Sequence, residues 1–240
     1  MALNMGRNVG GNEIPRTGLK MWLDAGNYES NSNSSYWEDI CGNGILASWG
    51  NQASYKGTPY GHVDFDGTDD YAEITDGNFG DNLAGDITTA LSIVGWAETD
   101  TALSGGVEYA LLRKTNQFQL GFNGNSTVRN LIRTTGGTTG WTAANDDTHN
   151  GLTTNVWNMW SFTWDGSTLT NYQNLDSIGT HTVTGTLATA FYTNHVFIGA
   201  GSTSANEWNG GLDVMLVYNV SLTLAQLTQI YNVYRGRFDV

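Results

Sequence analysis

The sequence WSFTW at residues 160–164 decides the fold class, because large aromatic and small hydroxyl side chains alternate in it without a break. Successive side chains of a β-strand point to opposite faces of the sheet, so Trp160, Phe162 and Trp164 share one face and Ser161 and Thr163 the other. A helix, with its period of 3.6 residues, would spread the same aromatics around its axis. The pattern predicts a half-buried strand whose apolar face covers a core.

Short runs of strand character recur from Leu19 onward, separated by Gly, Asn and Asp residues. More than ten such runs with no convincing helix until the end favour two stacked antiparallel sheets over a parallel α/β fold. No linker divides the chain, so we expect an N-terminal arm over residues 1–17, either free or docked on a neighbouring subunit, and one domain over residues 18–240. The runs are residues 19–24, 45–49, 62–66, 71–74, 91–97, 109–113, 118–122, 128–133, 157–164, 169–174, 181–184, 196–198 and 212–218.

The C-terminal region predicts a short amphipathic helix. The sequence TLAQ at residues 223–226 has the form of a capping box, in which Thr223 and Gln226 satisfy free backbone amides of the first turn. Gly236 ends the helical pattern, and Arg235 and Arg237 suit the negative end of the helix dipole. We expect an apolar stripe to pack on the sandwich; its members are Leu224, Leu227, Ile230, Tyr231 and Tyr234.

The chain is strongly acidic, with 10 Lys+Arg against 23 Asp+Glu and a formal net charge of −13. Nucleic-acid binding depends on cationic side chains that displace counterions, so that class of partner is disfavoured. Anionic membrane surfaces are disfavoured for the same reason. The remaining partners are a neutral or cationic molecule, a divalent cation or an uncharged glycan.

One cysteine, Cys41, cannot form an internal disulfide, so the core alone must hold the fold together. The first 15 residues lack the basic and then apolar pattern of a secretory signal. No stretch approaches the roughly 20 apolar residues of a membrane span. We therefore expect a soluble protein that folds where it is synthesised.

Three segments resemble the laminin-G-like family of concanavalin A-like jelly rolls. The sequences GLKMWLDAGN at residues 18–27 and WEDICGNG at residues 37–44 resemble the family's opening strand and its W-x-D-x-x-G-N-G turn. VDFDGTDDYA at residues 63–72 is similar to its F-D-G-x-D-D-Y hairpin, and NGGLDVMLVYN at residues 209–219 resembles its ending. The sequence departs from the family at Gln226, which usually is Glu, and at residues 172–175, which lack an expected Gly.

The resemblance spans residues 18–238 and implies an all-β fold: a concanavalin A-like two-sheet antiparallel jelly-roll sandwich with a short C-terminal helix. Members of the family bind calcium near such loops, and Asp66, Asp69 and Asp213 are the candidate ligands. Calcium takes six to eight oxygens, which carboxylates and backbone carbonyls can supply. The alternative is a purely structural turn, in which Gly67 permits the bend and the carboxylates accept local backbone amides. We expect no required cofactor.

Jelly rolls of this kind also include glycan-cleaving enzymes, and retaining glycosidases need two carboxyl groups about 5 Å apart. Asp64 and Asp66 have the spacing that puts two carboxyls on one face of a strand, but the E-x-D-x-x-E signature of the glucanase relatives is absent. The histidines lie far apart in sequence and form no metal-ligand pattern. We expect no catalytic residues and no enzymatic activity.

Nine Trp and 11 Tyr residues are more than such a core requires. Trp49, Trp141 and Trp208 stand beside Gly, Asn or Thr in predicted loops, where exposed rings stack on sugars or contact a partner protein. Burial beneath a loop is the alternative for each of them. The tryptophans expected inside the sandwich are Trp96, Trp157 and Trp160.

The resemblance, with the missing signal and disulfides, favours a non-catalytic virion-surface protein of a bacteriophage, such as a capsid decoration, cement or fibre-associated protein. It would be made in the host cytoplasm and bind other virion proteins or copies of itself. The alternative is a lectin-like module that binds cell-surface glycan, with or without calcium. A polysaccharide-cleaving enzyme is least favoured; it predicts reducing-sugar release that Asp64→Asn abolishes. We expect no nucleic-acid or membrane partner.

Overall fold

The computed structural model shows two large antiparallel β-sheets packed face to face, with a helix on the outer face of the first sheet. The predicted fold class is confirmed. The structure describes residues 13–31, 35–51, 53–57, 61–75, 89–124, 127–135, 145–148, 152–188 and 195–240.

Most predicted runs are strands, and the first has the predicted bounds. The strand β15 overlaps the predicted run 181–184 only at residues 181–182, and the other strands that the sequence did not predict are two to four residues long, too short to show a period. The strands are β1 (Leu19–Asp24), β2 (Tyr36–Glu38), β3 (Leu46–Gly50), β4 (Ser54–Lys56), β5 (His62–Asp66), β6 (Tyr71–Ile74), β7 (Leu91–Ala97), β8 (Glu108–Lys114), β9 (Phe118–Asn123), β10 (Thr127–Ile132), β11 (Thr134–Thr135), β12 (Asn145–Thr148), β13 (Asn158–Trp164), β14 (Thr168–Gln173), β15 (Asp176–Thr182), β16 (Thr186–Leu187), β17 (Val196–Ile198) and β18 (Asn209–Tyr218).

Sheet A has the strand order β15-β14-β13-β7-β18-β5-β4, and β1 also pairs with β18. The long strand β18 pairs with β7 along one side, and with β5 and then β1 along the other. Sheet B has the order β12-β10-β9-β8-β17-β6-β3-β2, and β11 pairs with β16 separately. Because β18 contacts three strands, its first residues join the end of β5 to the end of β7.

The inner core lies between the sheets and is rich in aromatic side chains. Within β13, Trp160, Phe162 and Trp164 face this core, as predicted. Ser161 and Thr163 point to the opposite face but are buried as well, so the strand is fully rather than half buried. The reason is that the outer face of sheet A carries a second core. The largest buried side chains between the sheets are Trp37, Phe65, Phe118, Phe122, Trp160, Trp164 and Trp208.

The predicted helix is present as α1 (Leu224–Tyr234), and its capping box has both predicted hydrogen bonds, between Thr223 and Gln226. Its buried side chains are Leu227, Ile230 and Tyr234. Leu224, predicted to join the apolar stripe, is instead 52% exposed, because it lies in the first turn beyond the sheet. Among the described residues, no helix has the length and apolar character that crossing a membrane requires.

The second core, on the outer face of sheet A, packs α1 against strands β1, β7, β13 and β18. Ile14 packs into it and the Arg16 guanidinium lies 4.4 Å from the Trp22 ring centroid, so the described end of the predicted arm packs on its own domain. The indole nitrogen of Trp22 donates to the Tyr234 hydroxyl at 2.9 Å, which ties β1 to the helix. These contacts explain why the helix is fixed although it is short.

The C-terminal residues after α1 are also anchored on sheet A. The Phe238 ring stacks between Trp96 and Trp157, with both centroid distances at 4.6 Å and both interplanar angles at 22°. Arg237 is buried beneath the same segment. The end of the chain is therefore part of the folded domain and directly supports Trp157.

Candidate functional site

The hairpin between β5 and β6 gathers two of the three predicted calcium ligands. The carboxyl oxygens of Asp66 and Asp69, together with Asp70, approach within 4.8 Å of one another. Asp66 Oδ1 accepts the Thr68 amide at 2.8 Å and the Asp69 amide at 3.4 Å, and Asp70 Oδ2 accepts the Asp66 amide at 3.1 Å. Backbone amides thus occupy the carboxylates of Asp66 and Asp70, as the structural-turn alternative requires.

Asp213, the third predicted calcium ligand, lies elsewhere. It is 0% exposed and accepts Arg237 Nη1 at 2.6 Å, while the same guanidinium donates to Asp24 at 2.7 Å. Asp213 is the bulged residue of β18, which points its side chain away from the hairpin of Asp66 and Asp69. The expectation that Asp213 shares a cation with that hairpin is corrected, since its carboxylate is already paired with Arg237.

Two of the three predicted contact tryptophans, Trp49 and Trp208, lie in the described part of the chain, and neither is an exposed loop ring. Trp208 is 0% exposed and stacks on Phe122 in the inner core, so its predicted loop exposure is wrong. Trp49 belongs to β3 and stacks on Trp37 with centroids 6.0 Å apart, partly buried against the same core. Trp141 lies outside the described residues. Burial, the alternative stated for these rings, applies to Trp208 and largely to Trp49.

Trp157, which the sequence placed inside a strand, is instead partly exposed just before β13. One face of its indole stacks on Phe238, and the His62 ring meets it edge-on with centroids 5.5 Å apart. Below it lies Gly211 of β18. A methyl group on Gly211 would lie 2.8 Å from the Trp157 ring and 2.9 Å from a carboxyl oxygen of Glu98. The bare glycine therefore lets the indole and the carboxylate meet.

Glu98 follows β7 directly and is only 6% exposed. Its Oε1 accepts the Gly211 amide at 3.0 Å, whereas its Oε2 has no hydrogen-bond partner among the described residues. Burial raises the pKa of Glu98, the Gly211 amide lowers it, the nearby Asp100 and Asp64 charges raise it further, and the Asn155 amide lowers it slightly without forming a hydrogen bond of ordinary geometry with Oε2. An unpaired carboxylate oxygen in this position is energetically unfavourable unless something else offsets its charge.

His62 and Asp64 complete the group from β5. Both side chains lie on the outer face of sheet A, where Asp64 forms an ion pair with Lys56 at 3.3 Å. Burial lowers the pKa of His62, although the Asp64 and Asp100 charges oppose that shift. His62 is therefore neutral at neutral pH. The Trp157 site is defined here as His62, Asp64, Glu98, Asp100 and Trp157.

The Trp157 site combines an aromatic ring with hydrogen-bonding groups of perturbed pKa, which is a recognised signature of a binding site. Sequence reasoning considered Asp64 only as a catalytic carboxyl and did not find Glu98. The local signals were weak: Glu98 directly follows a fully buried strand, and Trp157 directly precedes one. The pairing of β13 with β7 places Trp157 beside Glu98, and the pairing of β18 with both β7 and β5 adds Asp64.

A second polar group bridges the far edges of the two sheets. Asn130 of β10 donates to Asn171 of β14 at 2.9 Å, and Asn171 donates to Asp147 at 2.7 Å. The His181 Nε2 contacts the same Asp147 oxygen at 2.8 Å. Each of these four side chains has a hydrogen-bond partner among the other three. The cluster therefore has a structural role, which is to hold the edge of the sandwich together, and it is not a candidate binding site.

Cys41 is half buried, and its Sγ donates to Asp39 Oδ2 at 3.2 Å. Burial, followed by the hydrogen bond to Asp39 and its charge, raises the pKa of the Cys41 thiol to about 12. The thiol therefore stays protonated at neutral pH, which makes it a poor nucleophile.

Three solved structures have a similar fold. Domain 4 of AbnA, a GH43 extracellular arabinanase from Geobacillus stearothermophilus, in complex with arabinotriose, has a TM-score of 0.64 at 16% identity, covering 89% of this chain and 98% of that one. The binding domain of Botulinum Neurotoxin DC in complex with SialylT has a TM-score of 0.65 at 11% identity, covering 90% of this chain and 52% of that one. A Trypanosoma rangeli sialidase mutant displaying trans-sialidase activity has a TM-score of 0.66 at 16% identity, covering 95% of this chain and 35% of that one.

At these identities the likeness shows a shared fold, and the chain spans about half of the neurotoxin binding domain and about a third of the sialidase. No curated protein has a significant match to the sequence. The family model for the concanavalin A-like lectin/glucanases superfamily, of laminin-G type, matches residues 66–228, more than half of the chain. The protein is therefore a lectin-like jelly-roll domain that belongs to the concanavalin A-like lectin/glucanases superfamily.

Proposed function

We propose that the protein is a non-catalytic carbohydrate-binding domain and that the Trp157 site is its contact surface. The observation that carries the proposal is the partly exposed Trp157 ring, held by Phe238 beside the carboxylates of Asp64, Glu98 and Asp100. Sugar rings stack on aromatic faces through their C–H groups, and carboxylates accept hydrogen bonds from sugar hydroxyls. The AbnA domain with arabinotriose and the neurotoxin domain with SialylT have the same fold.

Rigid support favours this position for a binding site. Trp157 is fixed by Phe238, Glu98 by the Gly211 amide, and Asp64 by the paired strands β4 and β5. Side chains that are ordered before binding lose less conformational entropy when the ligand arrives. A ligand would thus meet a preformed surface.

Replacing Trp157 by Ala is expected to weaken glycan binding by about tenfold or more, since loss of one stacked ring removes on the order of 1–3 kcal/mol. Trp157→Phe should retain part of the affinity, because a smaller ring can still stack on Phe238 and on the sugar. The measurement is a glycan array to find the ligand, followed by titration calorimetry of the variants. Tyr28→Ala is the matched control, since that ring is 75% exposed and outside the site. Equal affinities for Trp157→Ala and the unaltered protein would reject the proposal.

Hydrolysis is the weaker alternative, although the similar structures include a sialidase mutant with trans-sialidase activity. Asp64, the carboxyl considered for catalysis, is paired with Lys56, and Asp66 accepts two backbone amides of its own turn. Both groups therefore have structural partners. We expect no reducing-sugar release from polysaccharides; release that disappears in Asp64→Asn would contradict the non-catalytic proposal.

Calcium is proposed to be unnecessary for binding. In the Asp66, Asp69 and Asp70 hairpin, the carboxylates of Asp66 and Asp70 accept amides of the turn itself, which supports a turn that holds its shape without an ion. The same calorimetric titration, repeated after treatment with a chelator, tests this. A glycan affinity that is lost with the chelator and restored by calcium would contradict it.

We further propose that this domain is made in the host cytoplasm and lies on the surface of a bacteriophage particle. There it would assemble with other virion proteins or with copies of itself. It is supported by the family resemblance and by a fold whose stability rests on its two cores, because the single cysteine can form no internal disulfide. Electron microscopy of particles with and without the protein, labelled by a specific antibody, tests it. Particles that carry no label would contradict it.

A further inference from the structure

The Trp157 site has more negative charge than its surroundings offset. Lys56 pairs with Asp64, whereas neither Glu98 nor Asp100 forms an ion pair with a basic side chain among the described residues. His62 contributes no charge at neutral pH, because burial lowers its pKa. Two carboxylates without a cation therefore stand beside one aromatic ring.

A bare metal ion does not suit this arrangement. Within the described part of the chain, the acidic triplet close enough to hold one ion is Asp66, Asp69 and Asp70, and the Trp157 site is not such a group. The carboxylates of the Trp157 site, which form no such triplet, instead suit a ligand with an extended body and a charged substituent. The adjacent indole offers a flat apolar surface for that body.

Glu98 supplies an independent reason to expect a cationic ligand. Its carboxylate is 6% exposed, and its Oε2 has no hydrogen-bond partner among the described residues. This carboxylate and the Trp157 ring both border Gly211, since a methyl group there would lie 2.9 Å from the first and 2.8 Å from the second. A positive group bound at the surface above it would offset a charge that the protein itself leaves uncompensated.

Resting on the proposed glycan-binding function, we propose that the Trp157 site selects glycans carrying free, protonated amino groups over their N-acetylated or hydroxyl counterparts. The sugar ring lies on Trp157, and its ammonium group contacts the exposed Asp100 and the half-exposed Asp64. Glu98 attracts the ammonium from beneath these two side chains. The acidic net charge of the chain acts in the same direction at longer range.

The test compares a tetramer of glucosamine with the tetramer of N-acetylglucosamine by titration calorimetry, at low and high salt. The glucosamine tetramer should bind about tenfold more tightly, as expected for a hydrogen bond between charged groups, and added salt should reduce that preference. Glu98→Gln keeps an oxygen for the Gly211 amide and removes the charge, so it should abolish most of the preference. Asp100→Asn, at an exposed position, should act in the same direction with no effect on the fold.

Asp176→Asn is the matched control, because Asp176 is an exposed carboxylate of β15 at the opposite edge of sheet A. It should leave the preference unchanged. Tetralysine is the second control, and binding as tight as that of the glucosamine tetramer would show mere attraction between opposite net charges and overturn the proposal. Thermal unfolding of each variant confirms that it is folded.

The outcomes separate this inference from the proposed function. Equal binding of the two tetramers, or binding of only uncharged glycans that still depends on Trp157, would overturn the amine preference and leave glycan binding intact. Absence of binding to any glycan on the array would overturn both. A preference that survives in both Glu98→Gln and Asp100→Asn would show that the amine is recognised somewhere other than the Trp157 site.

Discussion

Replacing Arg237 with Met is expected to lower the free energy of unfolding by about 3–5 kcal/mol, the usual result of removing one partner from a buried ion pair. Arg237 Nη1 donates to Asp24 at 2.7 Å and to Asp213 at 2.6 Å, and both carboxylates are 0% exposed. Met fills a similar volume but brings no charge. The buried Asp24 and Asp213 carboxyls would then lose their cation, and each would either stay charged without a partner or take up a proton, which accounts for the size of the effect.

Urea unfolding of the two proteins measures this change, and Arg235→Met is the matched control. Arg235 is exposed and lies two residues earlier, so its replacement should change the stability by less than about 0.5 kcal/mol. A third variant replaces Asp24 and Asp213 with Asn together with Arg237→Met. It should recover part of the loss, because it removes the uncompensated charges. Similar stabilities for Arg237→Met and Arg235→Met would contradict the assignment.

Features that depend on neighbouring residues in sequence could be predicted. The alternation at residues 160–164 gave strand β13 to within its ends, and the Thr223 and Gln226 capping box gave the start of α1. Leu224 was assigned to the buried stripe of that helix, but it lies in the exposed first turn, because a periodic pattern does not show which turns the sheet beneath covers. The full burial of Ser161 and Thr163 likewise depends on the helix that covers sheet A, which lies far away in sequence.

The candidate site could not be predicted in this way, because it is made by long-range pairing. Trp208 stands beside Asn and Gly, as a loop residue would, yet the strand that follows it turns its ring into the core. Asp213 belongs to a sequence motif that resembles a ligand loop, but its partner is a C-terminal arginine. Trp157 lies beside Glu98 because β13 pairs with β7, and Asp64 joins them because β18 pairs with both β7 and β5.

The C-terminal segment links stability to the proposed function. Arg237 fixes the segment beneath the helix, and the next residue, Phe238, holds the Trp157 ring at a centroid distance of 4.6 Å. A change that releases the segment should therefore disturb the glycan site without touching it directly. For this reason binding by the Arg237 variants must be compared with their folded fractions under the same conditions.

The free energy of unfolding is expected to fall as the pH rises from about 4 to above 7, and Asp213→Asn should remove most of this dependence. Burial raises the pKa of Asp213 to about 7, with the Arg237 charge opposing and the Asp24 charge adding to the shift. A carboxyl whose pKa is raised in the folded state binds its proton more tightly there than in the unfolded chain. Its contribution to stability is complete below the unfolded pKa and is lost as the pH passes the folded value.

The slope for one proton cannot exceed about 1.4 kcal/mol per pH unit. Glu98, whose pKa burial also raises, adds a dependence of the same sign, whereas the lowered pKa of His62 opposes it just below pH about 6.5. Asn at position 213 resembles the protonated carboxyl in shape and charge, so Asp213→Asn should be more stable than the unaltered protein at pH about 8 and similar to it at pH about 4. Urea unfolding across this range measures the difference, and a variant that is less stable at both pH values would show that the ionised Asp213 is the form the fold requires.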